Sequence, residues 1–184
     1  MFPEIAKNTI VQILGRGGVV LTTIITTALL TRLLGTAGYG NYIFIISLLM
    51  FFVTISDWGT SLIFIREASK KEEDQPLFFG NALLLRLSSS IFCLFFIVIL
   101  VAIAPGLQAL SVPIQIVSLT LILISLKTSS SIVFQTKLRF EFMAMVDVLI
   151  SSTFLFCLVF LFFFAKNFLN LSTIMFLFLL SNLF

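Results

Sequence analysis

LSSSIFCLFFIVILVAIAPGLQALSVPIQIVSLTLILISL, residues 87–126, carries no charged side chain. A bilayer core about 30 Å thick is crossed by about 20 apolar residues at a rise of about 1.5 Å each. This stretch is therefore too long for one span and long enough for two. Ala104-Pro105-Gly106 lies where the two would join, because proline cannot continue the helix ladder and glycine frees the backbone to turn. The rest of the chain has the same character. Of 184 residues, 60% are apolar and 10% charged, against about 45–50% and about 25% in an ordinary soluble domain. With a mean hydropathy of +1.21, too few polar side chains exist to cover a water-soluble globule, and lipid must solvate most of the surface. Spanning segments in lipid satisfy their own backbone groups as helices. The fold class is thus all-α, a polytopic helical membrane protein.

Uncharged runs and breakers predict about six transmembrane helices, at roughly 8–31, 40–65, 81–104, 107–134, 143–165 and 167–184, in a single transmembrane domain. The sixth is still apolar at Phe184, an ending expected of a chain truncated within a helix. The start is not read as a cleaved signal peptide. Glu4 weakens the charge of an n-region, and no small-residue cleavage site follows Leu30.

The residue inventory excludes several chemistries. With no His, the chain has no imidazole metal ligand, proton shuttle or His-activated nucleophile. Cys93 and Cys157 sit in apolar runs without CxxC spacing and read as small hydrophobes. No glycine-rich phosphate-binding pattern occurs, and a net charge of +3 is too small to argue for nucleic acid. Neither an enzyme nor a bound cofactor or metal is expected. A membrane glycosyltransferase or acyltransferase would want paired loop carboxylates or a His.

Placement of the basic residues orients the chain. Lys7, Arg16, Arg66, Lys70, Lys71, Arg86, Lys127, Lys137 and Arg139, nine of the eleven, fall on the side of the N-terminus, leaving Arg32 and Lys166 on the other. The positive-inside rule places that side, with the N-terminus, in the cytoplasm. The segment REASKKEEDQ, residues 66–75, is then a solvated cytoplasmic loop.

Five charges lie within the expected spans: Arg16, Arg86 and Lys127 against Asp57 and Asp147. An ionised side chain at the centre of a span costs roughly 2.5–3.5 kcal/mol on the insertion scale, so each needs an interface, a partner or water. Arg16 and Asp57 are both about 12 Å deep at about 1.5 Å per residue and could meet. Lys127 is at a similar level, and Arg86 and Asp147 are shallower. Two readings stand. The charges are snorkelling side chains and a structural ion pair, or they face a water-filled cavity that attracts an anionic headgroup. In helix 1, Gly18, Thr22 and Thr26 recur every four residues and form a small-residue face for close helix packing, which would also let the helix bend. Serine runs at residues 88–90 and 129–131 fit either reading.

Three stretches carry a family resemblance: TRLLGTAGYGNY (residues 31–42), SDWGTSLIFIREASK (56–70) and VFQTKLRFEFMAMVDVL (133–149). In this order they resemble lipid-linked oligosaccharide flippases of the polysaccharide transporter family, in the multidrug/oligosaccharidyl-lipid/polysaccharide exporter superfamily. The family's Arg-x-Leu-Gly-x-x-x-Tyr-Gly link between helices 1 and 2 is matched by Arg32, Leu34, Gly35, Tyr39 and Gly40. Its Asp-x-Gly near the end of helix 2, followed by Arg, is matched by Asp57, Gly59 and Arg66.

The resemblance implies one lobe of a two-lobed flippase fold in a bacterial or archaeal cytoplasmic membrane. It would turn undecaprenyl-diphosphate-linked oligosaccharide across that membrane by alternating access, for O-antigen (lipopolysaccharide), capsule or exopolysaccharide assembly. Implied partners are the lipid-linked oligosaccharide, membrane lipids, and polysaccharide polymerase and chain-length proteins. By the same analogy Arg16 is a cavity cation for the diphosphate, with Arg86 and Lys127 as further candidates. Asp57 is then its partner or a coupling-ion site, with Asp147 a second candidate. A multidrug/cation antiporter of the same superfamily is an alternative, which three basic against two acidic intramembrane residues oppose. A truncated, non-transporting remnant is another.

Overall fold

The structure, a computed structural model, describes residues 2–68, 75–136, 140–164 and 170–183. All regular structure among them is helical: α1 (Phe2–Asp57), α2 (Thr60–Ala68), α3 (Gln75–Ile103), a 3-10 turn (Pro105–Leu110), α4 (Ser111–Ser118), α5 (Thr120–Thr136), α6 (Phe140–Phe164) and α7 (Leu171–Ser181). Four segments are long and apolar enough to cross a bilayer, Thr9–Asp57, Pro76–Ile103, Pro105–Gln135 and Phe140–Phe164. The first, at 49 residues, has length for two crossings of about 20 residues. The chain is an all-α, multi-pass membrane protein.

Element ends differ from the sequence reading in informative ways. The expected link at residues 32–39 is helical except at Gly35, whose φ of 68° and ψ of 178° interrupt α1. Only glycine adopts such a dihedral without steric cost, so one residue breaks the helix where a longer loop was expected. A second break, at Trp58 and Gly59, divides the expected second helix into the end of α1 and the short α2. The third helix starts at Gln75 rather than 81, with Pro76 in its first turn, where a missing N–H costs nothing. After Ala104, extended as a residue before proline tends to be, the chain enters the fourth span through the 3-10 turn. The start expected for the sixth helix and most of the 66–75 loop lie outside the described residues.

The chain divides into two compact units, Met1–Ile43 with Leu138–Phe184, and Phe44–Lys137. In the first, the start of α1 packs on α6. A Cβ built on Gly15 would lie 2.7 Å from the Ala144 Cβ, and one on Gly18 would lie 3.5 Å from Val148 Cγ2. Thr26 and Leu30 continue that stripe at four-residue spacing and are buried. Three threonines of α1 turn their hydroxyls back to their own helix, Thr22 and Thr23 to the Val19 carbonyl (2.8 and 2.7 Å) and Thr31 to that of Thr27 (2.8 Å), which satisfies these donors without water. Further along, Phe154 of α6 meets Phe178 of α7 edge-on at 5.6 Å, over buried Leu158, Ile174 and Met175.

The second unit is a bundle of three buried stripes. Ile45, Leu49, Phe52 and Ser56 come from α1; Ala82, Arg86, Ser90, Cys93, Ile97 and Val101 from α3; Leu121, Ser125, Ser129 and Ile132 from α5. Each repeats at three or four residues, the spacing that keeps one helix face inward. Phe92, Phe95 and Phe96 point outward from α3, as lipid-facing residues should. Five of these fourteen residues, Ser56, Arg86, Ser90, Ser125 and Ser129, are polar, which places a polar layer inside an apolar bundle.

Candidate functional site

The site begins at the second helix break. Asp57 ends α1, and the chain then takes two left-handed residues, Trp58 (φ 47°) and Gly59 (φ 68°). Glycine accepts this conformation freely; for tryptophan it costs about 1–2 kcal/mol. The exposed ends of the break are tied locally. Trp58 N–H donates to the Ile55 carbonyl (3.2 Å), Thr60 Oγ1 to the Asp57 carbonyl (2.7 Å), and Ser61 Oγ to Asp57 Oδ1 (2.5 Å). Asp57 and Ser61 are four residues apart, so the short break keeps them on one side. Irregular backbone of this kind in a membrane segment is tolerated where it lines a polar cavity, and broken helices mark binding sites in transporters.

From α3, Arg86 reaches this break. Its Nη2 donates to Asp57 Oδ1, forming an ion pair, and to Ser61 Oγ. The Arg86 side chain is 2% exposed and that of Asp57 34%, so the cation is the deeper partner. Arg86 Nε and Nη1 are buried with no hydrogen-bond partner among the described residues. One turn further along α3, Ser90 Oγ bonds Ser56 Oγ (2.7 Å) and Ser125 Oγ, while Ser125 Oγ donates to the Leu121 carbonyl (2.8 Å). Each hydroxyl has one proton, so the chain runs Ser56 to Ser90 to Ser125 to the Leu121 carbonyl, and Ser56 Oγ keeps free acceptor capacity. A cavity of about 380 Å³ opens beside these groups, lined by Asp57, Ser61 and Arg86, by Ser56, Ser125, Thr54 and Thr128, and by apolar Val53, Leu121 and Ile124. Asp57 and Arg86 are the charged residues of that lining.

The structure distributes the remaining sequence candidates. Its partner for Asp57 is Arg86, where equal depth had suggested Arg16; depth is a property of one helix, and which helices are neighbours decides the pairing. Arg86 does not snorkel, since it is enclosed by α1, α2 and α5. Arg16 is exposed on α1 in the first unit, one residue from the Gly15 contact. Lys127 is exposed on α5 and Asp147 on α6. Arg32 is exposed just before the Gly35 break, Tyr39 stacks on Tyr42 at 6.0 Å, and Gly40 and Gly59 have open space where a Cβ would stand. Among the described residues no group of three or more His, Cys, Asp or Glu could hold a metal ion. Ser61 and Ser56 escaped the sequence reading. The four-residue spacing from Asp57 would have found Ser61, while nothing local marks Ser56. The serine runs at 88–90 and 129–131 did mark two of the inward positions, Ser90 and Ser129.

The site is thus a charged, hydroxyl-lined cavity at a helix break. The family model described as polysaccharide biosynthesis protein matches residues 5–184. The chain belongs to this family. Polysaccharide biosynthesis is accordingly the process it serves. No curated protein and no solved structure matches the chain.

Proposed function

We propose that this polysaccharide biosynthesis protein translocates a lipid-linked oligosaccharide, carried on undecaprenyl diphosphate, from the cytoplasmic to the outer leaflet by alternating access. It contributes one helical lobe to a two-lobed transporter, with its N-terminus in the cytoplasm. The observation that carries the reading is the buried Asp57–Arg86 pair at the Trp58–Gly59 break, beside a polar cavity within an apolar bundle. Ion pairs are retained inside membrane segments chiefly where they face a substrate or ion path. A drug antiporter would want an acidic cavity for cations, whereas the charges lining this one cancel. Arg16, exposed on α1, stands as the candidate cation for the diphosphate, with Lys127 as a further candidate and Asp147 as a second acid. The product would pass to polymerase and chain-length proteins.

The test is surface-polysaccharide export in cells whose own copy of the gene is replaced by Arg16→Ala, Asp57→Asn or Arg86→Gln. Export should fall severely in each while membrane abundance of the protein is unchanged. Normal export in Arg16→Ala would remove it from the substrate path, and normal export in all three would overturn the transport reading.

A further inference from the structure

The second unit can be set in a bilayer from its own backbone. α3 ends at Ile103, and the 3-10 turn after it has no buried residue. Exposed irregular backbone does not lie in hydrocarbon, so this turn marks one membrane edge. Counted back along α3 from that end, Arg86 lies about 26 Å away at about 1.5 Å per residue. Counted from Ser111 along α4 and α5, Lys127 lies about 24 Å away by the same rise. A hydrocarbon core about 30 Å thick therefore ends just beyond both. Asp57 stands at the same level through its pair with Arg86, as does Thr128 through the shared cavity. Between the two edges the outward face of α3 is apolar, with Phe92, Phe95, Ile99 and Ile103 exposed. Beyond Arg86 it becomes mixed, with Pro76, Leu77 and Asn81 exposed.

The side chains at the far edge suit an interface. Lys127 is exposed on α5, where hydrocarbon would expel its ammonium and lipid phosphates would hold it. Trp58 is 73% exposed, although its φ of 47° strains any residue but glycine. With so little of the indole buried, packing inside the bundle does not offset that strain. The favourable contact lies outside. An indole joins an apolar body to one N–H donor, and this draws it to the layer where hydrocarbon meets headgroups. Gly59, exposed and also left-handed, again puts irregular backbone where water or headgroups reach it.

We infer that Trp58 and Lys127 form an anchoring surface for the headgroup layer of the bilayer, the indole among phospholipid carbonyl groups and the ammonium on their phosphates. The Asp57–Arg86 cavity then opens at headgroup level, shallower than a helix running unbroken to residue 65 would place it. Lys127 is taken up by bulk lipid, and Arg16 remains the cation proposed for the diphosphate. The inference does not use the transport reading. Depth is measured without export, so either can fail alone.

As the single tryptophan, Trp58 reports its own depth. The full chain is reconstituted in phosphatidylcholine vesicles whose lipid is brominated either near the top of the acyl chains or near their ends. Bromine quenches indole emission at short range. The shallow bromines should quench Trp58 about twofold more than the deep ones. In Trp58→Phe/Phe95→Trp the indole moves about 14 Å along α3 toward the bilayer centre, and the order should reverse. In Trp58→Phe/Lys127→Trp the shallow order should return. Both variants are checked for native helicity by circular dichroism, and the native chain decides for Trp58 should either misfold. Stronger quenching of Trp58 by deep bromines puts the break in hydrocarbon and overturns the proposal. Quenching by aqueous iodide with neither lipid effective puts the indole off the bilayer and also overturns it. A deep order in Trp58→Phe/Lys127→Trp removes α5 from the anchoring surface and overturns its assignment to both residues.

Discussion

Truncating the two members of the intramembrane pair should cost unequal amounts, and the deeper residue sets the order. In Asp57→Ala, Arg86 keeps its charge at 2% exposure, lacks partners at Nε and Nη1 among the described residues, and loses the carboxylate it is paired with. Removing one partner of a buried pair costs about 3–5 kcal/mol. Asp57 is 34% exposed, so the carboxylate left behind in Arg86→Met can be reached by water, and the expected loss there is about 1–2 kcal/mol. The double variant Asp57→Ala/Arg86→Met strands no charge and should recover about 2 kcal/mol of the summed single losses. At about 2–4 °C per kcal/mol for a chain of this size, Asp57→Ala should melt roughly 6–20 °C below the native protein and Arg86→Met roughly 2–8 °C below it. Thermal unfolding followed by far-ultraviolet circular dichroism, in one detergent, measures all three. Equal losses, or a larger loss in Arg86→Met, would refute the claim that burial of the cation dominates. Additivity in the double variant would mean that the two side chains are not coupled at all.

Three further outcomes follow from single contacts. Gly15→Ala should destabilise by about 1–3 kcal/mol, because its Cβ would stand 2.7 Å from that of Ala144; Gly17→Ala, with nothing within 4 Å, should stabilise by about 0.5–1 kcal/mol, and thermal melts of the two distinguish helix packing from propensity. Gly35→Ala should cost about 1–2 kcal/mol through its φ of 68° alone, since open space surrounds it; a neutral result in the same melt would mean that the α1 break is not held in that conformation. Ser90→Ala removes the middle of the Ser56–Ser90–Ser125 chain and should lower stability by about 1–3 kcal/mol through the stranded hydroxyls, whereas Ser88→Ala, exposed on the same helix, should change the melt by less than about 0.5 kcal/mol.

Much of the membrane architecture was legible because its cause is local. An uncharged run, a proline-glycine pair and a glycine in a small-residue stripe act through backbone geometry and transfer free energy, which depend on neighbours in sequence. The positions of the breaks were harder. At Gly35 one positive φ interrupts a helix that runs on through Gly38 and Gly40, residue types that by themselves suggested a longer loop. At Trp58 the left-handed turn is occupied by a residue that resists it, and the neighbouring Gly59 is its one local signal. The expected packing face of helix 1 is extended by one turn at its start, with Gly15 and Gly18 against α6 and Thr26 buried on the same stripe.

The candidate site shows where reading residues one helix at a time stops. Asp57 and Arg86 were both evident as charges in the wrong solvent, since their cost is a property of the side chain and the medium. Their pairing was not evident, because several cations lie within reach in depth and only the neighbourhood of α1, α2, α3 and α5 selects one. Likewise, the serines of three helices are ordinary as separate letters and become a directed hydroxyl chain when their inward stripes meet. The amino-acid sequence alone thus established an all-α membrane chain and its family, because burial in lipid is paid residue by residue. Tertiary packing chose Arg86 as the partner of Asp57 and buried it among three helices, because hydrogen bonds and ion pairs depend on distances between helices that no one segment contains.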